Sequence, residues 1–220
     1  MIKYKNLTII GTSHISIESI REVERTIKEN KPSIVTLELD HDRLLALLHE
    51  KERKISLKDI KRMGLTVFII NIKGAWAEKK IGEIVNVKPG SEMRKAIEAC
   101  SELNIPIALI DQDVRITLRK LIRRFSWRER FRFLKEIITS PFKKKKLLFD
   151  LRKVPEKKLI NLMVSKVKKD YPSVYLTLIE ERNIFMGKHL KRLMATNENV
   201  VAVVGAGHEE GILKYLEENV

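Results

Sequence analysis

The sequence is poor in the features that mark several special classes of protein. It has one cysteine, Cys100, so an internal disulfide is excluded and a reducing compartment is expected. No stretch approaches the roughly 18 consecutive apolar residues of a membrane-spanning helix, and the N-terminus lacks the apolar segment of a secretory signal. We therefore expect a cytoplasmic globular protein, with association to a membrane surface left open.

Several catalytic and nucleotide-binding motifs are also absent. The sequence contains no HExxH, no CxxC, no G-x-x-x-x-G-K-[ST], no G-x-S-x-G and no G-x-G-x-x-G after a strand. The common zinc-peptidase helix, the P-loop, the serine nucleophile elbow and the dinucleotide fingerprint are therefore excluded. Cys100 falls inside a predicted helix, so a cysteine nucleophile has little support.

Positive charge is abundant and is concentrated in one segment. The 220 residues carry a formal charge of +15, and residues 111–170 hold 20 Lys and Arg against 7 Asp and Glu. Basic residues alternate there with Leu, Ile and Phe at helical spacing, which predicts basic amphipathic helices. Residues 115–169 are candidates for contact with a membrane surface or an acidic partner, and a solvated face is the alternative. Nucleic-acid binding is disfavoured because no recognition motif accompanies the charge.

Apolar patterning predicts an α/β protein with a single domain, residues 1–220. Short β-branched runs alternate with helical periodicity, which favours a central sheet of mostly parallel strands built from both chain ends. Residues 113–197 show no strand pattern and predict an inserted basic helical subdomain. A helix is favoured between Leu65 and Ile84. The predicted strands are Leu7–Thr12, Ile34–Leu39, Ile105–Ile110 and Val200–Val204.

Capping residues predict where several helices begin. Ser19 with Glu22 and Ser126 with Glu129 have the spacing of a capping box. Asp40 and Ser91 are suited to cap the helices that follow them.

Two stretches share the form of a buried strand followed by Gly, two small residues and His. They are LTIIGTSH, ending at His14, and VVAVVGAGH, ending at His208. Ligands of open α/β folds bind at the carboxyl edge of the sheet, so both histidines are expected at that edge. Glu38 and Asp111 lie at the ends of two further strands and are expected nearby. Two imidazoles and two carboxylates form a ligand set that suits Zn, Mn, Fe or Co.

Each of these residues also has a structural interpretation. A carboxylate in an apolar strand needs a partner, and a salt bridge from Glu38 to Arg43 or Arg182 would supply one. Asp111 and Asp113 are suited to cap the helix that follows them. A single histidine after a strand is more often a packing or capping residue, so the functional interpretation depends on the duplication of the motif.

Six segments, in order along most of the chain, resemble the TraB/PrgY/GumN or pheromone-shutdown family, which is related to the Tiki metalloproteases. They are GTSHIS with Ser19, VTLELDHDR, VKPGSEMRKAIEAC, LIDQDVRITLRKL, EERNIFMGKHL and VVAVVGAGHEEGI. The resemblance implies a Tiki-like α/β fold and a metal-dependent proteolytic site. It centres that site on His14, His208, Glu38 and an arginine, which is Arg182 or alternatively Arg43.

The first functional hypothesis is a metal-dependent hydrolase, specifically a peptidase that degrades or processes peptides. His14, His208 and Glu38 would hold a divalent Mn, Co or Zn ion, which lowers the pKa of bound water. Arg182 or Arg43 would stabilise the developing oxyanion or orient the glutamate.

Two further acidic residues are candidates for this site, and two positions depart from the family pattern. Asp111 is a candidate additional metal ligand, and Glu181 is a candidate ligand or base. Two positions depart from the family pattern, since Gln112 stands where relatives commonly have Arg and Asn183 stands where they commonly have Asp.

The alternative hypothesis is a non-catalytic protein that binds or sequesters a peptide and so regulates signalling. The cleft at the sheet edge would hold the peptide, and the basic helical surface would contact a membrane or an acidic partner. A homo-oligomer is compatible with either hypothesis.

Overall fold

The computed structural model describes residues 1–12, 17–48, 90–139 and 156–220, and these contain one five-stranded sheet. The order of its strands is β1-β2-β5-β3-β4. All neighbouring strands are parallel except β1, which pairs antiparallel with β2. The strands are β1 (Ile2–Tyr4), β2 (Leu7–Thr12), β3 (Ile34–Leu37), β4 (Ile107–Leu109) and β5 (Val200–Gly205).

Strand β5 lies at the centre of the sheet, although it comes from the C-terminal end of the chain. It is buried along its whole length and pairs with β2 on one side and β3 on the other. Thr12 lies opposite Gly205, and Leu37 lies opposite Val203. The three strands therefore end side by side, at one carboxyl edge.

The described helices have the following bounds. They are α1 (Ile17–Asn30), α2 (His41–Leu48), α3 (Ser91–Leu103), α4 (Val114–Arg124), α5 (Trp127–Thr139), α6 (Glu156–Asp170), α7 (Pro172–Tyr175), α8 (Glu181–Thr196) and α9 (Ala206–Asn219). A π-helical turn, Leu176–Glu180, joins α7 to α8. Between β4 and β5, the described residues contain helices and no strand.

Two hydrophobic cores cover the two faces of the sheet. On β5, Val201 and Val203 pack into the core that α1 and α3 close, while Ala202 and Val204 pack into the core that α8 and α9 close. This alternation follows from the period of two in a strand. A strand buried on both faces needs apolar residues at every position, and VVAVVG provides them.

The mostly parallel sheet built from both chain ends confirms the α/β prediction. Strand β2 has the predicted bounds, whereas β3 and β4 are shorter than predicted. The antiparallel edge strand β1 was not predicted, because three residues carry too little pattern to register. The helix favoured at 65–84 lies outside the described residues.

Capping explains several helix boundaries. The Asp40 carboxylate accepts a hydrogen bond from the Arg43 backbone N–H at 2.7 Å, and Asp113 accepts one from the Arg115 N–H at 2.6 Å. The predicted N-caps Ser19 and Ser91 are wrong, because both residues lie inside their helices. Helix α1 begins two residues before Ser19, and α3 begins at Ser91 with Gly90 as its N-cap.

The predicted capping box of α5 is present and reaches a second helix. The Glu129 carboxylate accepts hydrogen bonds from the Ser126 N–H at 2.9 Å and from the Ser126 hydroxyl at 2.6 Å. Its other oxygen accepts from the Ser173 N–H at 2.8 Å. This buried carboxylate therefore joins the first turns of α5 and α7. Burial opposes its charge, but these bonds outweigh that effect and lower the pKa of Glu129.

None of the helices in the described ranges is both long and apolar enough to cross a membrane.

We predict that Glu129→Gln lowers the free energy of unfolding by about 1–3 kcal/mol at neutral pH, because the partly buried N–H donors of Ser126 and Ser173 lose a carboxylate acceptor. The folded pKa of Glu129 lies below its unfolded value, so this stability is complete above the unfolded pKa and is lost as the pH falls through the folded one. Urea unfolding at pH 7 and at about pH 3 should show the difference between wild type and variant shrinking in acid.

The matched control is Glu136→Gln on the same helix, where the exposed carboxylate bonds only the Tyr171 hydroxyl in the described contacts. Its effect should stay within about 0.5 kcal/mol. An equal loss at both pH values for the Glu129 variant would contradict the assignment of its role to the ionised carboxylate.

Candidate functional site

Four polar side chains from four parts of the chain meet at the carboxyl edge of the sheet. Glu38 follows β3 directly, and Asp111 lies two residues after β4. His208 is in the first turn of α9, just after β5, and Arg182 is in the first turn of α8. The parallel strands bring Glu38, Asp111 and His208 to one edge. The packing of α8 on α9 brings Arg182 to the same edge.

The Arg182 guanidinium is the centre of this cluster. Nη2 donates to Glu38 Oε1 and to Asp111 Oδ2, the latter at 2.7 Å, and Nε donates to Asp111 Oδ1 at 2.9 Å. Nη1 contacts His208 Nε2 at 3.1 Å and donates to the Leu178 carbonyl at 3.2 Å. A guanidinium has five N–H donors, so every one of them is used.

The π-helical turn before α8 contributes to this placement. The Leu178 carbonyl that accepts from Arg182 belongs to that turn, four residues earlier. A π-helical turn changes the register of the residues that follow it and is often found at functional sites. The burial of Arg182 opposes its charge, but Glu38 and Asp111 outweigh that effect and raise its pKa.

Glu38 is held as a carboxylate although its side chain is largely buried. Burial alone would raise its pKa, but the charges around it and the Gly205 N–H, which donates to Oε2 at 2.6 Å, lower the pKa to about 2. At neutral pH, Arg182 supplies most of the balancing charge, because burial lowers the pKa of His208 and keeps that ring neutral. The observed ion pair is the structural role that the sequence suggested for Glu38.

The contacts of His208 fix its tautomer. Nε2 faces an arginine, which can only donate, so Nε2 carries the lone pair and accepts. The proton is therefore on Nδ1, which donates to Asn183 Oδ1 at 2.6 Å. Gly211 makes room for this amide, since a Cβ there would lie 2.0 Å from Asn183 Nδ2. Asn183 had no predicted role, although the family resemblance had marked its position as one where relatives commonly have Asp.

Asp111 is saturated by hydrogen bonds. Besides Arg182, Oδ1 accepts from the Gln112 N–H and Oδ2 accepts from Arg43 Nη1, both at 2.8 Å. Asp111 does not cap α4, because Asp40 Oδ2 and Asp113 accept the first N–H groups of that helix. Its contacts position two arginines.

Arg43 differs from Arg182 in its exposure. Its side chain is 39% exposed, and in the described contacts its Nη1 donates to Asp111. Arg43 therefore borders the cluster on the solvent side, where a bound molecule can reach it.

Two predicted site residues are not part of this cluster as described. Glu181 forms ion pairs with Lys120, at 2.9 Å, and with Arg124, and these cations lower its pKa against the opposing effect of burial. His14 lies outside the described residues. The strand that leads to it ends beside β5, with Thr12 opposite Gly205.

The cluster fits two positions of a metal shell. His208 Nε2 and Glu38 Oε1 are 3.4 Å apart, close to the roughly 3.3 Å between two ligands of a tetrahedral zinc ion. The Asn183 hydrogen bond to Nδ1 is the support that a metal-bound imidazole requires. The one lone pair of Nε2 accepts from Arg182, so a metal would replace that bond. Among the residues described, no three His, Cys, Asp or Glu side chains are grouped to hold a metal ion.

Comparison with known sequences shows the family of the chain. The TraB/PrgY/gumN family matches residues 2–219. An uncharacterized protein of Methanocaldococcus jannaschii is 39% identical over 218 residues, which cover 97% of this chain and 54% of that protein. The human TraB domain-containing protein is 24% identical over 234 residues, covering 94% of this chain and 61% of its own. The bovine TraB domain-containing protein is 25% identical with the same coverage.

The chain thus spans between about half and three fifths of the length of these relatives. With a family match from residue 2 to residue 219, it belongs to the TraB/PrgY/gumN family.

Proposed function

We propose that the carboxyl-edge cluster is the active site of a metal-dependent hydrolase that cleaves peptides. The observation that carries this proposal is the buried pair of His208 Nε2 and Glu38 Oε1, 3.4 Å apart and both unprotonated at neutral pH. A neutral imidazole and a carboxylate at this spacing are ligands that divalent Zn, Mn and Co accept. The kinship with Tiki metalloproteases and a Tiki-like fold are part of this proposal.

His208 and Glu38 would hold the metal, with His14 as the third ligand suggested by the family resemblance. A divalent metal supplies a hydroxide at neutral pH by lowering the pKa of its bound water. The chain's own residues prepare the ligands. Asn183 keeps the proton of His208 on Nδ1, and Arg182 with the Gly205 N–H keeps Glu38 ionised and fixed in place.

The two arginines divide two roles that the sequence left open between them. All five N–H groups of Arg182 contact acceptors within the protein, and a metal on His208 would release only the one that faces Nε2. The contacts to Glu38 and Asp111 would remain, so Arg182 orients Glu38. Arg43 is partly exposed and anchored by Asp111, so it is the arginine that can donate to the carbonyl oxygen of a substrate.

The acidic residues also take distinct roles. Both oxygens of Asp111 are occupied by donors, so it positions the arginines and is not the additional ligand. Glu181 is paired with Lys120 and Arg124, and those pairs would have to open before it could act as a base.

One observation favours the alternative of a non-catalytic peptide-binding regulator. The Nε2 lone pair of His208 already accepts from Arg182, which makes the cluster self-sufficient without a metal. In that case the cluster stabilises the sheet edge, and the partly exposed Arg43 would contact a bound peptide. Peptide affinity without turnover in Zn, Mn or Co would identify this function.

We predict that His208→Ala and Glu38→Gln each weaken divalent-metal binding more than about 100-fold, since changes to supporting residues alone already cost 10–100-fold. Titration calorimetry with Zn, Mn and Co measures the affinity, and a peptide-library cleavage assay with the same ions measures turnover. His189→Ala is the matched control, because His189, on α8, bonds only the Phe185 carbonyl in the described contacts. Metal binding that persists unchanged in both site variants would refute the ligand assignment.

We predict that replacing Arg182 mainly lowers stability and that replacing Arg43 mainly lowers activity. Arg182→Met leaves two buried carboxylates without their cation and should lower the free energy of unfolding by about 3–5 kcal/mol. Arg43→Gln should change stability by less than about 1 kcal/mol, because its ion pair is partly exposed. The Arg43 variant should instead lose about 100-fold in kcat/KM for peptide cleavage.

Thermal unfolding and steady-state kinetics on the same protein samples separate the two effects. A stable Arg182 variant, or an Arg43 variant with full activity, would show that the roles are assigned to the wrong arginines.

A further inference from the structure

The first turns of α5 hold two large aromatic side chains in solvent. Trp127 is 72% exposed and Phe131 is 66% exposed. They are four residues apart, so they lie on the same side of the helix, and their ring centroids are 6.5 Å apart. Adjacent exposed rings form an apolar patch, and such patches mark interaction sites.

The same side of α5 is positively charged. Arg128, Arg132 and Lys135 are exposed, and each lies within four residues of at least one of the two rings. Acidic residues offset only part of this charge. Glu129 is buried, Glu136 lies at the border of this face, and Asp170 pairs with Arg132 at 3.7 Å.

Two contacts hold α5 against neighbouring helices, one from the opposite side of the helix and one from Arg132 on this face. The Glu129 carboxylate joins α5 to the first turn of α7. Arg132 Nη1 donates to the Asp170 carbonyl at 2.7 Å, which ties α5 to the end of α6. The two rings are thus exposed on a helix that is tied to α6 and α7.

The chemistry of the face selects one kind of partner. A charged bilayer surface offers anionic headgroups for Lys and Arg, and an apolar boundary in which Trp and Phe are buried. Single-stranded nucleic acid would need open ring faces for stacking. Here the Arg130 guanidinium lies over the Trp127 ring, 5.1 Å from its centroid, and Phe131 leans against the same ring. A partner surface that offers only acidic groups would pair with the cations but would leave the two rings in water.

We propose that this face of α5 docks on the surface of a membrane that contains anionic phospholipids. The docking face consists of Trp127, Arg128, Phe131, Arg132 and Lys135. The charge of the surrounding segment, where residues 111–170 hold most of the formal +15, adds long-range attraction to the same surface. The proposal is independent of the proposed hydrolase activity.

The experiment measures binding of the full chain to vesicles. Pure phosphatidylcholine vesicles are compared with vesicles of phosphatidylcholine and phosphatidylserine, by co-sedimentation and by tryptophan fluorescence. The chain has two tryptophans, so a Trp76→Phe background makes Trp127 the only reporter. We expect its emission to shift to shorter wavelength, with protection from acrylamide, only when phosphatidylserine is present and salt is low.

Variants locate the docking face. Arg128→Gln and Lys135→Gln should each weaken binding about fivefold, the effect of one cation near an anionic surface. The double variant Trp127→Ala/Phe131→Ala should weaken binding more than about tenfold. Because both rings are exposed, this variant should keep the thermal unfolding temperature of the wild type.

The matched control is Leu162→Ala/Met163→Ala on α6, which removes two apolar side chains that are 56% and 60% exposed in the same basic segment. It should bind as the wild type does. Equal binding to neutral vesicles, or an equal loss in the control, would overturn the proposal. So would an oligonucleotide that binds more tightly than vesicles and requires the same two rings.

Discussion

The structure of the site depends on one guanidinium whose donors are all used. Arg182 contacts the ends of β3 and β4 through Glu38 and Asp111, the start of α9 through His208, and its own helix through Leu178. Two buried carboxylates can lie this close only because a cation separates them. The same contacts fix the carboxylate and imidazole orientations on which any chemistry at this edge would depend.

Charge balance follows from this arrangement. Glu38 and Asp111 are offset by Arg182 and Arg43, and His208 is neutral at pH 7 because burial lowers its pKa. The cluster therefore has no excess negative charge that would attract a cation by itself. Metal affinity at this edge would have to come from direct bonds to Nε2 of His208 and to the carboxylate of Glu38. Whether a metal binds therefore depends on whether it can take the Nε2 lone pair from Arg182.

The sequence predicted the part of the site that depends on strands. Parallel strands end at one edge, so Glu38, Asp111 and His208 could be placed together from patterning alone. The sequence could not decide whether Arg43 or Arg182 pairs with Glu38. Arg182 reaches the edge through the packing of α8 on α9 and through a π-helical turn, which apolar periodicity does not predict. Edge strand β1 was missed because three residues carry too little pattern, and the contact to Asn183 was missed because it depends on tertiary packing.

The basic helices are coupled to the site rather than appended to it. Lys120 and Arg124 of α4 pair with Glu181, the neighbour of Arg182, and Asp113 and Asp40 cap the helix that carries them. The docking face of α5 begins three residues after Arg124. Arg182, the residue after Glu181, donates to Glu38. The adjacent residues Glu181 and Arg182 therefore connect α4 to the carboxyl-edge cluster.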